Sequence, residues 1–299
     1  MSKKILVVYF SQSGQLRQIT ENFSAPFIKA GHTVEMVPVE MKNKFPFPWK
    51  SKTFFDAMPE SVLGIPAEVI APQFKEEKYD LIVFGYQPWF LSPSIPANSI
   101  LANEEFEKRV AGTPVITIIG GRNMWINAQE RVKKMIKQIG GRLVGNIVYV
   151  DRHNNFVSAV TIQYWMFTGK KDKWLGIFPK PGVADDEINN ANVFGAKVLE
   201  SLDKGNYGDL QSALVEMKAV EPQTTLMFIE GRAPKIFRLW ANLIIRKKNR
   251  SLWLQIFKYY LLFALFIIAP VLLIIYLLLI RPLTGRQIRE HKKYFSGVN

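Results

Sequence analysis

The chain has 299 residues, 48% of them hydrophobic, and no cysteine, which excludes disulfides, thiolate metal sites and a cysteine nucleophile. Three histidines, His32, His153 and His291, are too few for a histidine-based metal cluster, so no metal site is expected. The net charge of +14 suggests nucleic acid until its distribution is read: residues 1–230 carry 26 Lys and Arg against 24 Asp and Glu, residues 231–299 carry 13 against the single Glu290, and a basic tail of that kind calls for no nucleic-acid partner.

The run Ile5 to Phe10 lacks a helical period, is rich in β-branched and aromatic residues, and reads as a buried strand of a parallel sheet. Ser11, Gln12, Ser13 and Gly14 form a turn after it. Gln15 and Leu16 then open an amphipathic helix with Leu16, Ile19, Phe23 and Phe27 on one side. Strand, hydroxyl-bearing loop and helix N-terminus in succession make an anion site. The loop offers no lysine for a triphosphate, so a monophosphate held by neutral donors fits better. SQSGQL resembles the phosphate loop of flavodoxin-like proteins, which implies FMN, although Leu16 stands where that loop ends in a hydroxyl residue.

Thr33 to Val39 alternates as a second strand. Residues 42–72 follow, an insertion dense in proline and aromatics (Phe45, Phe47, Trp49, Phe54, Phe55), which reads as a lid over a site, with plain packing or membrane contact as alternatives. Tyr79 to Tyr86 is a third strand opening into Gln87, Pro88, Trp89 and Phe90. After a helix near 101–110, Thr113 to Ile119 is a fourth strand ending in Gly120, Gly121, Arg122, Asn123, Met124 and Trp125. A helix through Val132 and Ile136 stops at Gly140, and Leu143 to Val150 is the fifth strand, ending in Asp151, Arg152 and His153.

Five strands alternating with helices predict an α/β, flavodoxin-like, doubly wound parallel sheet of order 2-1-3-4-5. The loops after the first, third and fourth strands then border one crevice at the switch point. In the flavodoxin-like resemblance SQSGQL holds the phosphate, while the loops with Gln87–Phe90 and Gly120–Trp125 lie along the ring, Trp89 or Trp125 stacking on it. Residues 151–184 are too apolar for a linker and too irregular to assign. Asp185 starts a helix that closes the sheet before Gly205. The expected units are a flavin domain over 1–205 with insertions at 42–72 and 151–184, and a connecting region over 206–231.

The tail divides into a basic amphipathic interfacial helix over 232–258, a membrane segment over 259–280 and a basic end over 281–299. Tyr259 to Ile280 is 22 residues without a charged side chain, about 33 Å as a helix against a hydrocarbon core of about 30 Å. Pro270 at its midpoint permits either one kinked transmembrane helix or a membrane-inserted hairpin. Five Lys and Arg flank each side within about 20 positions, so the charges do not choose between them. Met1-Ser2-Lys3-Lys4 leads straight into a strand, which places the expected flavin domain on the cytoplasmic face of the membrane.

The runs FPFPWKS, FFDAMPESVLGIP, YDLIVFGYQPWFLSPSIP, GGRNMWINAQE and VDRHNN resemble the bacterial dialkylresorcinol condensing enzymes of aryl-polyene and flexirubin-type pigment pathways. That resemblance covers almost the whole chain and implies aromatisation of a dialkylcyclohexanedione beside a partner ketosynthase, since a condensing role would need the absent cysteine. Aromatisation removes two hydrogens, for which FMN is the expected oxidant, Asp151 or His153 the expected base, and Arg122 a holder of the enolate oxygen or a partner of a neighbouring acid. Membrane lipid, a lipophilic substrate and a quinone acceptor are the expected partners. The rival readings are an FMN-dependent NAD(P)H:quinone reductase and a non-catalytic membrane scaffold.

Overall fold

A computed structural model describes residues 2–299. Five strands, β1 (Lys4–Tyr9), β2 (Thr33–Pro38), β3 (Leu81–Tyr86), β4 (Pro114–Gly121) and β5 (Arg142–Val150), form one parallel sheet of order 2-1-3-4-5. β1 is an interior strand, with Val7 opposite Met36 on one side and Val83 on the other, and Ile5 to Val8 are fully buried. Helices cover both faces, so these strands read as continuous apolar runs rather than as alternation.

Helix α1 (Gln15–Lys29) buries Leu16, Ile19, Phe23 and Phe27 against the sheet. The insertion folds into two short helices, α2 (Ser51–Asp56) and α3 (Met58–Leu63). The helix expected near 101–110 is two, α4 (Ile95–Leu101) and α5 (Glu104–Val110), because the Asn103 side chain accepts the Phe106 N–H at 3.1 Å and restarts the turn. After α6 (Ile126–Gln138) and β5, the unassigned segment contains α7 (Asn155–Thr168), apolar on every side and therefore without a period to read. Helices α8 (Asp185–Asn189) and α9 (Ala191–Lys204) follow, and α9 lies so close to α1 that a Cβ on Gly195 would fall 2.0 Å from the Phe23 carbonyl oxygen.

The connecting region forms α10 (Leu210–Glu216) and α11 (Thr224–Glu230), and the tail begins with α12 (Ala233–Ile245). Next comes one long helical stretch, Arg250–Leu283, with π-helical turns at Ala264–Ile268 and Tyr276–Ile280. Among the described residues it is the one helix long and apolar enough to cross a membrane. Its first turns and α12 share a second apolar core with the insertion, where Phe55, Met58 and Val62 meet Ala241, Ile244, Leu254 and Phe257. Arg250 pairs there with Asp56 at 2.8 Å and, through both terminal nitrogens, with Glu60 at 2.7 Å. The last helix, Gly285–Ser296, returns to the sheet domain.

Candidate functional site

At the carboxyl end of β1 the chain turns sharply. Gly14 sits at φ 91°, in the left-handed region, and caps α1 with no side-chain cap. The Ser11 hydroxyl accepts the Arg17 N–H at 3.1 Å, and the Gln12 N–H is taken by the Gln87 side chain, also at 3.1 Å. Among the described residues nothing accepts the N–H groups of Ser13, Gly14, Gln15 and Leu16. Four unspent donors at the positive end of a fifteen-residue helix are the makings of an anion site.

The three strand-end loops converge on one cavity of about 400 Å³, within the range of small-molecule sites. Gln12, Ser13, Gln15 and Leu16 contribute from the first loop, Gln87, Pro88, Trp89 and Phe90 from the second, and Gly120, Gly121 and Arg122 from the third. Leu16 occupies the floor, close enough that a Cβ on Gly120 would lie 3.2 Å from its Cδ1. Gln15 spends its side chain otherwise: it donates to the Val183 carbonyl at 2.8 Å and accepts the Val183 N–H at 3.2 Å, fastening loop 182–183 to α1.

Trp89 stands edge-on to Phe10, Phe45 and Trp49, with ring centroids 5.0–5.9 Å apart. It belongs to a two-residue hairpin in which Pro88–Trp89 pairs with Ser92–Pro93, and the turn residues Phe90 and Leu91 both have positive φ, 48° and 60°. Such turns favour Asn-Gly, so two bulky residues here are strained by about 1–3 kcal/mol each. Packing offsets this, with Phe90 tilted on Phe54 at 4.8 Å and both turn residues on the cavity wall.

Arg122 is the only charged side chain on that wall, and no carboxylate pairs with it among the described residues. It donates to the Asn155 carbonyl at 3.0 Å. Burial lowers its pKa to about 10, with the Asp151 carboxylate pulling the other way. Beside it the Asn123 amide donates to the Asn155 side chain at 2.8 Å, leaving Asn123 Oδ1 and Asn155 Nδ2 buried without partners. Asn155 is on the cavity wall, and its free donor suits the polar edge of a heteroaromatic ring.

Several expected residues lie off the wall. Ser11 and Gly14 shape the loop from behind, and Asn123 acts only through Asn155. Trp125 is 3% exposed in the main core, so it stacks on nothing in the crevice, and of the two expected indoles only Trp89 reaches the cavity wall. The expected bases are displaced too. Asp151 is fully buried, its carboxylate taking the His153 N–H at 3.0 Å, His153 Nδ1 at 2.7 Å, the Ser158 hydroxyl at 2.9 Å and the Gly182 N–H at 3.3 Å. A carboxylate so well satisfied in a sealed position is a structural anchor. His153 opens instead on a separate pocket of about 280 Å³, beyond loop 182–183.

The rest of the wall is apolar. Trp49, Phe54 and Phe55 come from the insertion, Ala159, Ile162 and Trp165 from α7, and Phe237, Leu261, Ala264 and Ala269 from the tail. Only the insertion announced itself in the sequence, by its aromatics. The contributions of α7 and the tail carried no signal, because an apolar residue facing a cavity reads like one facing a core.

No protein-family model matches the chain and no curated protein does. Among solved structures it is similar to a flavoprotein in complex with FMN from Lactobacillus acidophilus, at 17% identity and TM-score 0.41, over 49% of this chain and 93% of that one. A flavodoxin from the domain Archaea is similar at 11% identity and TM-score 0.38, over 67% and 99%. A flavone reductase is similar at 11% and 0.34, over 67% and 63%. The flavodoxin-like fold stands on the strand order and the parallel register themselves.

Proposed function

We propose that this chain is a membrane-associated, FMN-dependent oxidoreductase that oxidises a dialkylcyclohexane-1,3-dione to the resorcinol. The observation that carries the reading is the cavity itself, whose wall runs without a break from a phosphate-type loop to an apolar helix. The free N–H groups of Ser13, Gln15 and Leu16 would hold the FMN phosphate, Asn155 and the backbone near Gly121 the ring's polar edge, and Trp89 its flank. Bound FMN would supply the acceptor for the hydride, and with it the two electrons, that aromatisation releases.

The remaining work falls to the chain. The proton lost in the oxidation comes from the ring carbon beside the one that gives up hydride, and with no carboxylate or imidazole on the wall it passes to water. Arg122 holds the enolate oxygen, and its burial makes that attraction stronger than it would be in water. The aromatic insertion covers the crevice, and the apolar outer wall accepts the alkyl chains. A quinone in the same bilayer is the proposed final electron acceptor.

The same wall would admit a quinone as substrate, which keeps an NAD(P)H:quinone reductase as the second reading. Detergent-solubilised full-length protein separates them. It should be yellow and bleach anaerobically on adding a dialkylcyclohexanedione. Bleaching by NAD(P)H alone establishes the reductase, and a colourless protein that takes up no FMN leaves the scaffold.

A further inference from the structure

The helix Arg250–Leu283 has 34 residues and is about 51 Å long, well beyond a hydrocarbon core of about 30 Å. Both of its ends nevertheless return to the same domain. At the start, Arg250 pairs with Asp56 and Glu60, Lys258 donates to the Ser51 hydroxyl at 3.2 Å, and Phe257 is fully buried. Toward the end, Tyr276 is 4% exposed and stacks on Phe228 of α11 with centroids 4.2 Å apart. Past the end, the Tyr294 hydroxyl donates to Glu130 of α6 at 2.8 Å, and Gln211 of α10 donates to the Ser296 carbonyl at 2.6 Å. A helix threaded through a bilayer would carry its far end away from α6 and α10.

The two faces of this helix differ. One face, with Leu261, Ala264, Leu265 and Ala269, forms the outer cavity wall. The opposite stripe, Tyr259, Phe263, Ile267, Val271, Ile274 and Leu278, follows helical spacing with every member more than half exposed. Water alone would not tolerate an apolar stripe of that length on a stable monomer. Exposed cations stand at both ends, Arg246, Lys247 and Lys248 before it, Arg281, Arg286 and Arg289 after it. A spanning helix would send one cluster to the wrong side. A helix lying flat lets both meet the anionic headgroups of one leaflet.

We propose that residues 250–283 lie in the plane of a single leaflet as a roof over the crevice, outer stripe in the acyl chains, and that they do not cross the membrane. The cavity then opens sideways into the layer where an alkyl-chain substrate resides, past Ala264 and Ala269 on the helix and Phe237 on α12. The proposal deepens the membrane part of the function above and is independent of whether a flavin binds, so colour and topology fail separately.

The absence of native cysteine makes the test clean. Single-cysteine versions of the full chain, Ser2→Cys and Gln287→Cys, are expressed in bacteria and probed with a membrane-impermeant maleimide in vesicles of each orientation. Both cysteines should react from the same side. Reaction of Gln287→Cys only from the opposite side overturns the proposal in favour of a span. Environment-sensitive labels at Phe263, Val271 and Leu278, in vesicles of phosphatidylethanolamine and phosphatidylglycerol with brominated acyl chains, should be quenched alike. A maximum confined to the region of Pro270 would indicate a re-entrant hairpin. Failure to float with those vesicles, or a dimer that buries the labels without lipid, also overturns it.

Discussion

The inner and outer halves of the crevice wall are built in different ways. The inner half, from the ends of β1, β3 and β4, is positioned by backbone: strand register, the left-handed Gly14 and the start of α1 set its donors. The outer half, from the insertion, α7 and the tail, is positioned by side-chain packing, Phe90 on Phe54 and Phe257 on Phe55 and Trp240. A wall of backbone donors recognises an anion and changes little with residue identity. One made of packed side chains recognises shape and changes with each methylene. Cofactor affinity should therefore reside in the first half and substrate choice in the second.

The largest effect that would break this division is electrostatic. Ser13→Glu places a carboxylate in the anion loop, and repulsion on the order of 4 kcal/mol from the phosphate should weaken FMN binding about a thousandfold, read by flavin fluorescence titration. Tight FMN binding by that variant would move the phosphate elsewhere.

Glu230 ties the connecting region to the helix after the third crevice loop: its carboxylate, 1% exposed at the end of α11, accepts the Asn127 N–H of α6 at 3.2 Å. Burial raises its pKa from 4.5 to about 7 against the opposing pull of α6 donors from Trp125 to Asn127. Between about pH 4.5 and 7 the native state thus holds a proton that the unfolded chain has lost, so stability should fall as pH rises through that window. The cost is complete above it and is about 3 kcal/mol at most. Glu230→Gln should flatten the slope and raise the melting temperature at pH 8, measured by calorimetry of the detergent-solubilised protein. An unchanged slope would assign the pH dependence to other groups.

Arg122→Met should keep FMN bound and the fold intact while kcat falls about a hundredfold, the scale of removing one charge-stabilising donor. An unchanged kcat would make Arg122 a structural cation. The smallest effect sharpens the outer half. Ala269→Phe fills the cavity beside the roof helix, and KM for a long-chain dione should rise about tenfold with little change for a short-chain one. Equal effects on both would place the chain elsewhere.

Apolar runs bounded by turns marked the five strands and the crevice loops, and their alternation with helices pointed to the strand order, because parallel strands covered on both faces and Gly-bounded turns have local signatures that survive without tertiary information. The apolar run of the tail was equally plain, as was the imbalance of charge that surrounds it. Tertiary structure alone decided that Trp125 turns into the core while Trp89 turns to the cavity, and that Asp151 is sealed behind loop 182–183. It also made α7 and the tail parts of the wall. The reason is common to all of these: a one-dimensional pattern records whether a residue avoids water, whereas which buried surface it meets depends on partners as remote as Tyr294 and Glu130.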